Sequence, residues 1–136
     1  MQKVTIRDIQ NYKVQAKPFA TVTAYDYVSA RNADAVEIPL LLVGDSAAMV
    51  VYGMDTTLPI SMEELIFLVR AVRRGSNKAL VVADMPFMSY QASVEDAVRN
   101  AGRFVKEGGA EAVKLEGGMV CKAQIMGIID AGIPVM

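Results

Sequence analysis

Histidine is absent from the 136 residues and cysteine occurs once. Structural and catalytic zinc sites draw on those two side chains, so a protein-only zinc centre is argued against. A lone thiol, Cys121, excludes an internal disulfide and suits a reducing compartment. It falls in a predicted helix with no histidine beside it, and reads as a small core residue rather than a nucleophile. Surplus basic charge is lacking too. With 14 Lys and Arg against 15 Asp and Glu the net charge is −1, and no positive field exists to attract nucleic acid or an anionic membrane. The one basic cluster, Arg70, Arg73 and Arg74, reads as a solvated helix end. No apolar run approaches the ~20 residues needed to cross a bilayer, and the N-terminus has no signal-peptide core. No linker or low-complexity stretch divides the chain. These absences predict a cytoplasmic protein, one domain over residues 1–136, with neither nucleic acid nor membrane as partner.

What is present is a repeated pattern. Leu40-Leu41-Leu42-Val43 is continuously apolar and ends in Gly44-Asp45-Ser46. Continuous rather than alternating apolar character marks a strand covered on both faces, as in a parallel sheet. Ala79 to Ala83 repeats it and ends in Asp84; Ala112-Val113-Lys114-Leu115 repeats it again and ends in Glu116. In parallel α/β sheets ligands collect at the carboxyl ends of strands, where these acids fall.

The intervening stretches read as helices. Thr5 to Asp8 is a capping start for a short N-terminal helix that Lys17-Pro18 ends. A first strand is predicted over Phe19–Ala24, delivering Tyr25 and Asp26, followed by a helix over about Val28–Val36. Residues 47–60 form a long connection of the kind that is usually functional or disordered. Ser61-Met62-Glu63-Glu64 is a capping box that opens a helix through Arg73, with Gly75 expected as its C′ residue. Ser93 to Asp96 starts another helix, with Val94, Ala97, Val98, Ala101, Phe104 and Val105 at helical spacing and Gly108-Gly109 as its end. A last helix is predicted from about Met119 to Asp130, ended by Gly132, and Ile133 to Met136 opens a further strand.

One helix, four β–α units and the start of a fifth strand predict a parallel α/β sheet. An open doubly wound sheet and a (β/α)-barrel compete. A complete eight-unit barrel takes about 250 residues, and the chain supplies about half, so the expectation is the first half of a TIM-barrel plus an N-terminal helix. Period-two alternation pairs Val43 with Asp45, Val82 with Asp84, and Lys114 with Glu116 on their strands. Lys114 is a cation in an apolar strand, costly to bury unless it is paired or binds an anion. Three carboxylates and one ammonium at neighbouring strand ends suit a hard divalent cation with an anionic ligand, and Mg²⁺ fits few carboxylates with retained waters and substrate oxygens. Each acid taken singly is equally a cap or turn residue, and Lys114 could balance Glu116 in an ion pair. Asp26 is left outside the metal set as a simple strand-end turn.

Six co-linear blocks carry a family likeness: Thr23-Ala24-Tyr25-Asp26, Val43-Gly44-Asp45-Ser46, Thr57-Leu58-Pro59-Ile60, Ala71-Val72-Arg73-Arg74-Gly75, Ala83-Asp84-Met85-Pro86-Phe87 and Val113-Lys114-Leu115-Glu116-Gly117-Gly118. Together they resemble ketopantoate hydroxymethyltransferase over essentially the whole chain. The resemblance implies a (β/α)8 barrel related to phosphoenolpyruvate mutase and isocitrate lyase. It also implies a large homo-oligomer and transfer of a hydroxymethyl group from 5,10-methylenetetrahydrofolate to 3-methyl-2-oxobutanoate, giving ketopantoate for pantothenate and coenzyme A. Carried over by motif, Asp45, Asp84 and Glu116 form the Mg²⁺ set, and Asp45, Ser46, Asp84 and Lys114 contact the ketoacid. The family's general base is a glutamate of the second half-barrel, beyond Met136, so no catalytic base is expected in this chain. The sequence departs from the family in having Ala47-Ala48 where Leu-Gly is typical and Leu68 where a histidine is typical. The alternatives are a catalytically silent half-barrel that binds metal or ketoacid or only self-associates, and a related lyase acting on another α-ketoacid.

Overall fold

The computed structural model describes residues 2–136. Its four strands are β1 (Thr21–Thr23), β2 (Leu40–Val43), β3 (Leu80–Asp84) and β4 (Ala112–Lys114), all parallel and side by side in chain order. Leu40 pairs with Thr21 on one side and Leu80 on the other, and Asp84 pairs with Lys114. A parallel bridge from Val113 to Val135 adds the beginning of the fifth strand expected at the C-terminus.

The order never reverses, and the side chains show the consequence. Leu41, Val43, Val81, Ala83 and Val113 share one core with Ala30, Ala33, Leu65, Val69, Val72, Ala97, Ala101 and Ile128. Those partners come from four helices, α2 (Tyr27–Ala35), α4 (Met62–Gly75), α5 (Val94–Arg103) and α6 (Lys122–Asp130). The other parity, Leu40, Leu80, Val82 and Ala112 with Leu42, packs with the N-terminal segment: Val4, Phe19, and Ile6 and Ile9 of α1 (Ile6–Val14). All crossover helices therefore lie on one face of the described sheet, as in a barrel wall; in a doubly wound sheet a reversal of strand order sends helices to both faces.

Local chemistry explains most boundaries. Thr5, Asp26 and Ser61 each cap a helix with a reciprocal box. Asp26, expected as a strand-end turn, is thus the N-cap of α2, accepting the Ser29 N–H at 2.8 Å. This bond draws its carboxyl below the ordinary value. The long connection contains a helical turn, α3 (Ala47–Val50), whose Ala47 and Ala48 are buried against the core. Gly75 is not a C′ residue: α4 includes it and Ser76 caps the end. A Cβ there would collide with the Tyr27 carbonyl oxygen, so the glycine exists to let α2 and α4 approach. The helix α5 runs on through a π-helical turn at Phe104–Gly108 and stops at Gly109, φ 81°. The last helix opens as a 3₁₀ turn, Gly118–Cys121, and Cys121 is a buried free thiol, as its core reading requires. Strand β1 is shorter than the predicted Phe19–Ala24 and all three residues are exposed; as the edge strand it has a neighbour on one side alone.

Candidate active site

Asp84 ends the most deeply buried strand, β3, whose five residues are all inside. Its parity is that of Leu80 and Val82, so it points to the face away from the crossover helices, and its register partner Lys114 points the same way. The lysine Nζ donates to Asp84 Oδ1 at 2.8 Å, with side-chain exposures of 27% and 6%. The unequal burial decides the electrostatics. Burial pushes the Asp84 carboxyl up, and the Lys114 hydrogen bond and charge with the Asp45 N–H only partly offset it, so it stays above its ordinary value. Burial also works against the Lys114 ammonium, but the Asp84 bond and the charges of Asp84, Glu116 and Asp45 outweigh it and hold the lysine protonated.

Asp45 and Ser46 reach this point by a turn rather than by strand alternation. Val43 belongs to the helix-facing core, opposite to Asp84, so the expected pairing of Val43 with Asp45 on the site face does not hold. Strand β2 ends at Val43, and the following turn swings the Asp45 N–H to 3.3 Å from Asp84 Oδ2. At Gly44 the missing side chain leaves room for the Ser46 hydroxyl. A Cβ on it would lie 2.8 Å from Ser46 Oγ and 3.8 Å from Asp84 Oδ2. Ser46 makes no side-chain cap to α3. Its hydroxyl instead pairs with the Tyr25 phenol at 2.8 Å.

Glu116 stands apart. Beyond the end of β4, its side chain is 82% exposed and its Oε1 lies 3.8 Å from Lys114 Nζ, while its backbone N–H donates to Tyr90 Oη at 3.2 Å. A cavity of about 110 Å³ is lined by Asp45, Asp84, Glu116 and Tyr90, with Phe87 and Thr57. Of the expected ketoacid contacts, Asp45 and Asp84 line this cavity, Lys114 pairs with Asp84 and Ser46 with Tyr25. The three acids share the cavity wall without forming a ligand cluster: among the described residues no group of three or more His, Cys, Asp or Glu side chains is arranged to hold a metal. Like-charged carboxylates converge only at a cost, and Lys114 takes one Asp84 oxygen while Glu116 turns to solvent.

The donor set still suits a hard cation. Mg²⁺ takes one or two carboxylates and fills its octahedron with water and ligand oxygens. Asp45 and Asp84 meet that description, and Asp84 keeps lone pairs beyond the two hydrogen bonds it accepts. Two residues escaped sequence reasoning, Tyr90 and Asp34. The signal for Tyr90 was an aromatic in a loop immediately after a strand carrying a candidate acid. For Asp34 it was an acid in the last turn of a helix, where the dipole disfavours it unless other donors compensate.

Residues 3–136 match the profile of the family described as ketopantoate hydroxymethyltransferase. A curated relative from Carboxydothermus hydrogenoformans, named 3-methyl-2-oxobutanoate hydroxymethyltransferase, is 54% identical over 136 residues, covering 100% of this chain and 49% of its own. One of the same name from Frankia alni is 54% identical over 134 residues, covering 98% and 44%. The chain spans about half the length of the curated relatives it matches. Among solved structures, a phosphonopyruvate hydrolase complexed with oxalate and Mg²⁺ superposes with TM-score 0.71 at 12% identity, over 90% of this chain and 46% of that one. A 2,3-dimethylmalate lyase, described as a phosphoenolpyruvate mutase/isocitrate lyase superfamily member, gives 0.69 at 15% identity, over 96% and 49%. The structural likenesses carry the fold alone; the sequence matches carry the family, and this chain belongs to the ketopantoate hydroxymethyltransferases.

Proposed function

We propose that this chain is the first half of a (β/α)8 barrel, a single domain that holds the metal and ketoacid side of a hydroxymethyltransferase active site. The whole enzyme would transfer a hydroxymethyl group from 5,10-methylenetetrahydrofolate to 3-methyl-2-oxobutanoate, giving 2-dehydropantoate for pantothenate and coenzyme A synthesis. The observation that carries this reading is the Lys114–Asp84 pair at adjoining strand ends, whose Asp84 lines a polar cavity together with Asp45. Lys114, protonated, neutralises the substrate carboxylate, and Ser46, braced by Tyr25, donates to a ligand oxygen. Asp45 and Asp84 would hold Mg²⁺, with Glu116, whose side chain is exposed at the cavity rim, completing the acidic set. When bound, Mg²⁺ would supply Lewis acidity to the ketoacid and make its C3 proton easier to remove. None of these residues takes that proton: metal-engaged carboxylates are weak bases, and a positioned general base is commonly worth about 10²–10⁴-fold.

The face carrying Leu40, Leu80 and Val82 lines a cavity of about 340 Å³ that extends to Phe19, Pro134 and Val135. On this reading the second half of the barrel closes over it, and assembled copies form a homo-oligomer. Calorimetry with Mg²⁺ and 3-methyl-2-oxobutanoate tests the site. Metal should bind more tightly with the ketoacid present, and proton NMR in D₂O should show only slow exchange at C3. Failure of the ketoacid to bind would remove the reading; rapid Mg²⁺-dependent exchange would place a base within these residues.

A further inference from the structure

Tyr90 lines the same cavity as Asp45 and Asp84 and has no part in the roles assigned above. It follows Asp84 by six positions, in the loop after β3, and is 5% exposed. Its oxygen accepts the Glu116 backbone N–H at 3.2 Å. A phenol both accepts and donates. Here the accepting side is engaged, and among the described residues the hydrogen bonds give the phenolic proton no acceptor. A buried donor left in that condition costs free energy unless a ligand or a water in the cavity takes the proton.

We propose that Tyr90 is a further substrate-contacting residue, donating its hydroxyl proton to an oxygen of the α-ketoacid held beside Asp84 and Lys114. The inference rests on the reading of the cavity as a ketoacid site. An ordinary phenol keeps its proton at neutral pH. Tyr90 is therefore a donor at neutral pH and not a base. A neutral donor on the wall that also carries Asp84, the partner of the Lys114 ammonium, gives the cavity a hydrogen-bonding position of a different kind. A site built around such a donor rejects a ligand with no oxygen to receive it. Because the same hydroxyl grips the Glu116 backbone, ligand binding also fixes the start of the Glu116-Gly117-Gly118 turn.

The test is calorimetry at mildly acidic pH with Mg²⁺ alone and then with 3-methyl-2-oxobutanoate. It compares the unsubstituted protein, Tyr90→Phe, and protein carrying 3,5-difluorotyrosine at position 90. Loss of one neutral hydrogen bond predicts ketoacid binding about 3- to 10-fold weaker in Tyr90→Phe, with Mg²⁺ binding alone unchanged. Fluorination makes the phenol a better donor and a poorer acceptor, so the fluorinated protein should bind ketoacid more tightly. Equal ketoacid binding by Tyr90→Phe and the unsubstituted protein overturns the inference and leaves the proposed function standing. Weakening of both metal and ketoacid by both replacements also overturns it, because that pattern belongs to the Glu116 contact. No ketoacid binding by the unsubstituted protein overturns the proposed function itself.

Discussion

Asp34 and Asp84 are 7% and 5% exposed, lie at opposite ends of the same sheet, and are shifted in opposite directions. Asp34 is in the last turns of α2, against the loop that leads into β3. Its Oδ1 accepts Ser76 Oγ at 2.9 Å, the Lys78 N–H at 2.8 Å and the Ala79 N–H at 2.9 Å. Burial is the largest influence on its carboxyl and raises it, but the donors together prevail and the net shift is downward from 3.8. Asp84 accepts from Lys114 and from one N–H, and burial prevails there. Both side chains are hidden from solvent, but Asp84 is enclosed by more of the protein and has fewer donors, and both differences push its carboxyl the other way. A carboxylate saturated by the protein is a structural joint, and one left short of partners can still take a ligand. The division matches a general rule of parallel α/β folds, in which the N-terminal end of the strands carries stability and the C-terminal end carries chemistry.

The largest expected effect is at the saturated end. Asp34→Ala should cost about 2–4 kcal/mol in denaturant unfolding, since it orphans the Ser76, Lys78 and Ala79 donors, two of them in buried residues. Metal binding by the folded fraction should be unaffected; a loss below about 1 kcal/mol would break the contrast. Asp84→Asn should do the reverse. We expect stability within about 1 kcal/mol of the parent and metal binding in the presence of ketoacid weakened by about tenfold or more, because one of the three cavity carboxylates loses its charge. Equal metal affinity by calorimetry would remove Asp84 from the site.

Opposite pKa shifts require opposite pH slopes. Asp34 is lowered in the folded state, so its contribution is present above the unfolded value of 3.8 and is lost as pH falls through the lower folded value. Asp84 is raised, so its contribution is full below 3.8 and is lost as pH rises through the higher folded value. Across a pH series, the advantage of the parent over Asp34→Asn should shrink on acidification. Asp84→Asn should gain on the parent as pH climbs out of the acid range. Parallel curves for the two variants would contradict the assignment.

The smallest effect concerns backbone strain in the loop after Asp84. Met88 has φ 65° and is 55% exposed, so it holds a left-handed conformation with little packing in return. Met88→Gly should stabilise by up to about 1 kcal/mol if relief of the strain exceeds the entropy gained by the unfolded chain. Thermal unfolding measures it, and a lower midpoint would show that the methionine packs more than its exposure suggests.

Much of this molecule was legible before any fold was drawn. Strand–helix alternation followed from continuous apolar runs and helical spacing, both of which reflect burial that a sequence records directly. The caps at Thr5 and Ser61 were readable because a capping box closes within four residues. Asp84 and Lys114 could be named because an acid or a cation in a buried strand is expensive and must find a partner nearby. The partner itself was another matter. Lys114 was weighed against Glu116, two residues on, whereas its close contact is Asp84, thirty residues away and adjacent only through the parallel register. The same holds for Tyr25 with Ser46, for Tyr90 with Glu116, and for the close approach of α2 that requires Gly75. Asp45 was assigned a face by alternation, and the turn at Gly44 chose differently. Local interactions are encoded within a few residues and survive in the sequence by itself. Which buried polar groups meet depends on strand register, helix approach and turn geometry, and those are decided only when distant segments pack together.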